Sequence, residues 1–390
     1  MTARDRTLEL APADVMDYRE LARRRLPRQL FDYIDGGAYA ENTLRENVAA
    51  LRGLRLRQRV LRDVSQIDLS AQLFGQSLRL PLILAPVGLA GMFARRAEVQ
   101  AARAAELAGI PFCESTVSIC SLEEVAGALA SPPWFQLYVM RDRNYAEQLM
   151  ERATRAGCPV LVLTVDLAVV GTRHRDVRNG TGIQLGAGKQ ARKVWDYVSH
   201  PRWLLDVALR GRPLTFGNLS AAVPNARMPG SFRQWVDAQW DASVTWDDLA
   251  WVRRHWSGKI VLKGILDPQD AQRAVDAGMD GIIVSNHGGR QLDDVHATAH
   301  ILPRVLQSVG DRIPVLVDGG IRSGLDVVKM LALGARACLL GRAWAYAVAA
   351  AGQAGVSHVL SMMNDEMRVA MALTGSCKLS DLTAQTLDDP

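Results

Sequence analysis

Cysteine is sparse in this chain: Cys113, Cys120, Cys158, Cys338 and Cys377 are its five. None forms a C-x-x-C pair or joins histidine at ligand spacing, which excludes a zinc module and implies reduced, mostly buried thiols in a cytoplasmic setting. Long apolar runs are also missing. The most apolar stretches, residues 80–94 and 343–356, are broken by Pro or Gly and fall short of the ~20 residues that a bilayer-spanning helix needs. Membrane contact, if any, has to be peripheral. Residues 1–17 mix both charges without an apolar segment, so no signal peptide is expected. Charge of one sign is barely in excess, with 46 Lys and Arg against 41 Asp and Glu. Without a basic stripe, that balance gives no nucleic-acid surface. Neither G-x-G-x-x-G nor G-x-x-x-x-G-K-[ST] occurs, which removes a dinucleotide fold and a P-loop.

What is present is an ordinary globular composition, 48% hydrophobic and 22% charged over 390 residues, long enough for a large core. A helical preface comes first, with helices expected over 14–26, 28–34 and 41–51 and short extended pieces over 54–76. From Leu80 onward, strand and helix patterns alternate. Strands are expected over 81–86, 110–115, 134–139, 160–165, 260–264, 281–284, 313–317 and 337–340. Helices are expected over 98–108, 121–129, 144–156, 246–256, 268–277, 297–309, 325–333 and 355–373. About eight strand and helix pairs with short connections predict a (β/α)8 TIM barrel. We read one domain: a preface over 1–79, a barrel over 80–376 with a long insertion after the fourth strand at about 171–243, and a tail over 377–390.

Catalytic groups of such barrels sit at the carboxyl ends of the strands, and those ends carry polar equipment here. The first ends Pro86-Val87-Gly88, the second Ser115-Thr116, and the third carries Gln136 and Tyr138. The fourth gives Thr164 and Asp166, then Arg173. Lys263 ends the fifth, and His287 and Arg290 follow the sixth. The seventh gives Asp318-Gly319-Gly320-Ile321-Arg322, and the eighth Gly341-Arg342. Paired glycines and arginines after strands seven and eight suit a phosphate. A buried lysine beside hydrogen-bonding side chains suits a phosphorylated heterocycle that gains negative charge, as reduced flavin mononucleotide does. Two arginines and two tyrosines around a histidine suit a small carboxylate with an adjacent hydroxyl, which points to oxidation of a 2-hydroxy acid.

These residues occur in a familiar setting. Ser285-Asn-His287-Gly-Gly-Arg290-Gln-Leu-Asp293, with Phe135-Gln136-Leu-Tyr138, Leu163-Thr164-Val-Asp166, Lys263-Gly264 and Leu340-Gly341-Arg342, resembles the FMN-dependent 2-hydroxy-acid dehydrogenase/oxidase family over nearly the whole chain. Asp35-Gly-Gly-Ala-Tyr39 and the stretch Met92 to Gln100 are most similar to its bacterial respiratory L-lactate dehydrogenase branch. The resemblance implies that His287 is the base and that Asp166 orients it. It implies that Arg173, Arg290, Tyr33 and Tyr138 hold the substrate. FMN would lie among Pro86, Val87, Gly88, Ser115, Gln136, Thr164 and Lys263, with Asp318, Gly319, Gly320, Arg322, Gly341 and Arg342 at its ribityl and phosphate end. The implied activity is oxidation of L-lactate to pyruvate, with electrons passed to a quinone at the cytoplasmic face of the inner membrane, by a homo-oligomer, a tetramer in relatives. Whether His287 takes the hydroxyl proton or the Cα proton stays open. The other readings are a soluble oxidase that reduces oxygen to hydrogen peroxide, a mandelate-type dehydrogenase, and a silent flavin-binding barrel.

Three positions depart from the family pattern. Ala168 replaces a frequent proline, which leaves the loop to Arg173 less rigid. Val117 replaces a bulky aromatic, and Glu114 stands where an apolar residue is usual. The insertion interleaves Lys189, Arg192, Lys193, Arg202, Arg210 and Arg212 with Trp195, Tyr197, Trp203, Leu204, Leu205, Val207 and Leu209. That mixture predicts a peripheral membrane segment, with a lid or a subunit contact as the alternative.

Overall fold

Eight short apolar segments pair in parallel in the computed structural model, which describes residues 11–180, 185–220 and 239–388. In chain order they are β1 (Leu82–Leu84), β2 (Cys113–Ser115), β3 (Trp134–Leu137), β4 (Val160–Thr164), β5 (Lys259–Ile265), β6 (Gly281–Val284), β7 (Val315–Val317) and β8 (Cys338–Leu340). The sheet runs β1-β8-β7-β6-β5-β4-β3-β2, and a parallel bridge between Leu84 and Phe112 closes it into the expected barrel. Strands β2 and β7 start later than expected, after Pro111 and Pro314, because proline has no N–H for the ladder.

Alternation along each strand sorts the side chains. Leu82, Leu84, Phe135, Leu161, Leu163, Leu262 and Val284 point outward into the core beneath the surrounding helices. Ile83, Cys113, Trp134, Val162, Val261, Ile283 and Leu316 point inward and fill the barrel. A hairpin of Ala71–Leu73 and Gln76–Leu78 adds Leu73, Phe74 and Leu78 to that inner cluster, with Phe74 edge-on to Trp134 at 5.7 Å. Gly281 makes the room, since a Cβ there would lie 2.8 Å from the Phe74 ring. Two residues further along the inward rows, the character changes. Ser115, Gln136, Thr164, Lys263, Ser285 and Asp318 form a buried polar layer at the carboxyl end.

The preface folds as α1 (Val15–Arg25), α2 (Arg28–Asp35) and α3 (Asn42–Gly53). The Asp293 carboxylate, from the loop after β6, accepts the N–H groups of Ala40, Asn42 and Thr43 and so caps α3 from a distance. Asp35 accepts from Arg19 at 2.5 Å, Tyr346 at 2.8 Å and Arg175 at 2.8 Å, and Arg175 also reaches Glu41 at 2.6 Å. This network joins the preface to the final helix and to the start of the insertion. The final helix is longer than expected, Arg342–Thr374, and its non-helical break at Ala351 and Gly352 divides it in two. The sequence pattern captured only the second half. The tail returns to the preface through Leu387–Asp388, which pairs with Arg55–Leu56.

Parts of the expected insertion, 181–184 and 221–238, lie outside the described residues, as do 1–10 and 389–390. The remainder contains helices His174–Arg178, Ala187–Val198 and Pro201–Trp203, then a wide helical turn at Leu204–Leu209. Trp203 and Val207 correct the sequence reading. Both are buried rather than presented outward, with the Trp203 indole donating to Met92 O at 2.8 Å. Val177, Val194, Trp195, Val198, Leu205 and Leu209 are the large apolar side chains left exposed among its described residues. Glu114 also gains an account. It lies in the outward row between Cys113 and Ser115, fully buried, where burial pushes its carboxyl well above the usual range and keeps it protonated. Asn218 Nδ2 donates to it at 3.4 Å and to Ser115 O at 3.2 Å, so Glu114 joins the insertion to β2.

Candidate active site

The loop after β6 is shaped by three consecutive residues with positive φ: His287 at 56°, Gly288 at 63° and Gly289 at 71°. A Cβ on Gly289 would lie 2.5 Å from Leu44 N, and one on Gly288 would lie 2.6 Å from the Arg342 guanidinium, so neither position admits a side chain without displacement. A left-handed non-glycine residue such as His287 persists only where its surroundings hold it. Here Asn286 exchanges hydrogen bonds with Asn47 and accepts from Gly289 N, while Ser285 Oγ accepts from His287 N at 3.1 Å.

His287 Nδ1 lies 3.0 Å from Asp166 Oδ1. Burial lowers the imidazole's affinity for a proton. Asp166 opposes this, but Lys263 and Arg173 add to it, and the net direction is below the ordinary value. Burial alone would raise Asp166, yet His287 and Lys263 outweigh it and keep the carboxylate ionised. The pair therefore consists of a neutral imidazole donating Nδ1–H to a carboxylate, which leaves the Nε2 lone pair as the basic site.

Arginines gather around this base. Arg290 lies over the Tyr33 ring at 4.9 Å and donates to Tyr33 O and Gly36 O. Arg173 lies over the same ring at 5.9 Å and donates to Arg290 O at 3.3 Å. Burial, reinforced by Arg173, pushes the Arg290 guanidinium down to about 9, and burial, with Arg322 adding, pushes Arg342 down to about 10. Such a cluster is stabilised by an anion. Tyr138 is raised by burial and then by Asp166, so its phenol stays protonated and can donate.

The polar layer forms the floor. Lys263 donates to Ser285 Oγ at 2.8 Å and pairs with Asp318 Oδ2 at 2.9 Å. Burial disfavours its charge, but Asp318 and Asp166 prevail and hold it above the ordinary lysine value. Gln136 Nε2, Thr164 Oγ1 and Asp318 Oδ1 are buried without a partner among the described residues. Donors and acceptors left this way beside a buried ammonium fit the edge of a flat heterocycle that carries both. Pro86, Val87 and Gly88 supply a wall, and Gly88 has no room for a Cβ, which would meet Val117 Cγ2 at 2.6 Å. Gly319, Gly320, Arg322, Gly341 and Arg342 line the other end, where the final helix begins. Arg342 also donates to Ile34 O, Gly36 O and Gly288 O, so it clasps the preface to the site. Of the candidate site residues, Tyr33, Tyr138, Arg173, His287, Arg290, Lys263 and the wall and end residues named above line one cleft. Asp166 reaches it through His287, Ser115 and Gln136 belong to the buried polar layer without lining it, and Thr164 lines a neighbouring cavity beside Tyr138. No group of His, Cys, Asp and Glu able to hold a metal occurs among the described residues.

A profile of FMN-dependent dehydrogenases matches residues 22–389. The chain belongs to the FMN-dependent dehydrogenase family. L-lactate dehydrogenase of Pectobacterium atrosepticum is 53% identical over 371 residues, 95% of each chain. That of Caulobacter vibrioides is 55% identical over 359 residues, covering 92% of this chain and 93% of the relative. Among solved structures, the monotopic membrane protein (S)-mandelate dehydrogenase superposes with a TM-score of 0.90 at 37% identity, over 97% of this chain and all of that one. Mandelate oxidase with (S)-4-hydroxymandelic acid gives 0.83 at 38% identity, over 97% of this chain and 98% of that one.

Within this FMN-dependent dehydrogenase, sequence reasoning missed several lining residues. Leu167, Val170 and Trp240 lie outside any strand pattern, two in a loop and one at the end of the insertion. Gln291 was in the motif but had no role assigned. Its amide donates to Asp166 O and Val169 O and its carbonyl accepts from Gly171 N. Those bonds brace the loop that Ala168 was expected to loosen.

Proposed function

We propose that the protein oxidises an L-2-hydroxy acid, L-lactate to pyruvate, and delivers the electrons to a membrane quinone. The observation that carries this reading is the neutral imidazole of His287, backed by Asp166 and facing the same cleft as Arg173 and Arg290. Arg173 and Arg290 pin the substrate carboxylate with Tyr33 beside them, and the protonated Tyr138 donates to the substrate oxygen. His287 Nε2 takes one proton from the H–C–O–H unit, and the ionised Asp166 stabilises the imidazolium that results. Bound FMN supplies the two-electron acceptor, with Lys263 set to balance negative charge at its ring. Lactate as substrate is supported by relatives named L-lactate dehydrogenase at 53% and 55% identity. The test is anaerobic addition of L-lactate to the purified flavoprotein. Loss of the flavin absorbance is expected, and a protein bleached by no 2-hydroxy acid would refute the reading.

The membrane part of the proposal rests on the helix Ala187–Val198. Val194, Trp195 and Val198 are exposed on one side of it, and Lys189, Arg192, Arg202 and Arg210 are exposed around them. No helix among the described residues is long and apolar enough to cross a bilayer, so the contact is interfacial and, by our reading, on the cytoplasmic face. Reoxidation of the reduced protein by a quinone analogue should outpace reoxidation by oxygen; the reverse would make it a peroxide-forming oxidase. A tetramer is expected by light scattering.

A further inference from the structure

Trp240 stands where the insertion returns to the barrel, and its backbone is fixed there. It forms an antiparallel bridge with Met140, just beyond β3. Arg141 N donates to Gln239 O at 2.8 Å, Asp241 N donates to Val139 O at 3.3 Å, and the Arg141 side chain donates to Trp240 O at 3.1 Å. The indole is only 3% exposed and lies 4.8 Å from the Tyr138 ring at 40°. Its N–H is buried without an acceptor among the described residues. Among the described residues, contact with the Tyr138 ring is what positions this side chain. With Val117, Leu167 and Val170, it lines the same cleft as His287 and the arginines. Apart from the Trp240 N–H these side chains are apolar, so the part of a 2-hydroxy acid that matches them is its hydrocarbon substituent.

We propose that Trp240 is the specificity-determining residue that limits the C2 substituent to short alkyl groups, and that Tyr138 and the Met140 bridge hold its ring in place as a rigid wall. The inference deepens the proposed function and rests on it. A flexible wall would yield to a longer chain; this one is fastened by backbone on one side and by the tilted Tyr138 ring on the other.

The test compares the holoenzyme with Trp240→Ala, Trp240→Leu and Trp240→Phe. Flavin content and melting temperature are recorded for each, and anaerobic flavin reduction is followed with L-lactate, L-2-hydroxyhexanoate and L-mandelate. In Trp240→Ala, the ratio of kcat/KM for the larger acids to that for lactate should rise at least about tenfold, since even one methylene in an apolar pocket is worth roughly 10–200-fold. Trp240→Phe should stay near the parental ratio. If the alanine variant fails to hold flavin, Trp240→Leu carries the comparison. A ratio unchanged within about twofold in a flavin-replete Ala or Leu variant overturns the role of Trp240 and leaves the activity standing. A parental protein reduced by no 2-hydroxy acid removes the activity and this inference together.

Discussion

The mouth of the barrel and the insertion after β4 break the same rule in opposite directions. The barrel buries Lys263, Asp318, Gln136 and Thr164 in a layer that would ordinarily be apolar, while the insertion exposes Val194, Trp195, Val198 and Leu209 on a surface that would ordinarily be polar. Isolated exposed hydrophobics need no explanation, and buried polar groups are usually paired within the protein. Here Val194, Trp195 and Val198 share one side of a helix, and several buried polar atoms have no partner among the described residues. Under the proposed function, each region finds its complement outside the protein: the mouth in a polar, anionic ligand and the insertion in an apolar phase.

The sharpest way to break this comparison is at the mouth. His287→Gln should slow flavin reduction by L-lactate by about 10⁴-fold, the upper end of general-base effects, with the flavin spectrum unchanged in stopped-flow measurements. A rate within tenfold of the parent would move the base elsewhere. Lys263→Met leaves Asp318 buried without its cation and should cost about 3 kcal/mol of stability, read from the urea midpoint, together with loss of FMN. On the insertion side, Trp195→Glu should weaken sedimentation with anionic vesicles at least about tenfold, from the apolar area it no longer buries. Its bleaching by lactate should match the parent. A pH profile sharpens the mouth further. Because His287 is held below its ordinary 6.5, the neutral base persists to lower pH, and the reduction rate should fall only below that value as the imidazolium forms. A midpoint at or above 6.5 would contradict the assignment.

The smallest effect belongs to the seam between the two regions. Glu114 is held above its ordinary 4.5, so its contribution to stability is full below that pH and is lost as pH rises. Glu114→Gln should therefore differ from the parent by less than about 1 kcal/mol near pH 5 and gain relative to it toward pH 8. A large loss for Gln at pH 8 would mean that the carboxylate is ionised and needed as such.

The barrel was legible because buried parallel strands read as apolar runs that end abruptly in glycine and polar residues, and most of those endings line the cleft. Facing was not fully legible. Glu114 looked anomalous beside Ser115 until the alternation of a short strand turned it outward. The insertion resisted for a related reason: Trp195 and Trp203 occupy the same basic and aromatic stretch, yet one is exposed and the other packs on Met92 O. Only tertiary contact separates them. Trp240 was missed because nothing periodic precedes it, and Gln291 because its function is to brace backbone rather than to meet a ligand.

The clasp made by Arg342 orders events in time. It grips the carbonyls of Ile34 and Gly36, the former 308 residues earlier in the chain. A ribosome emits the first side of the cleft long before the last, so a nascent polypeptide lacks a finished pocket until β8 and the residues after it have left the exit tunnel. Capture of the prosthetic group is thereby deferred to the end of translation, and truncated products are born colourless.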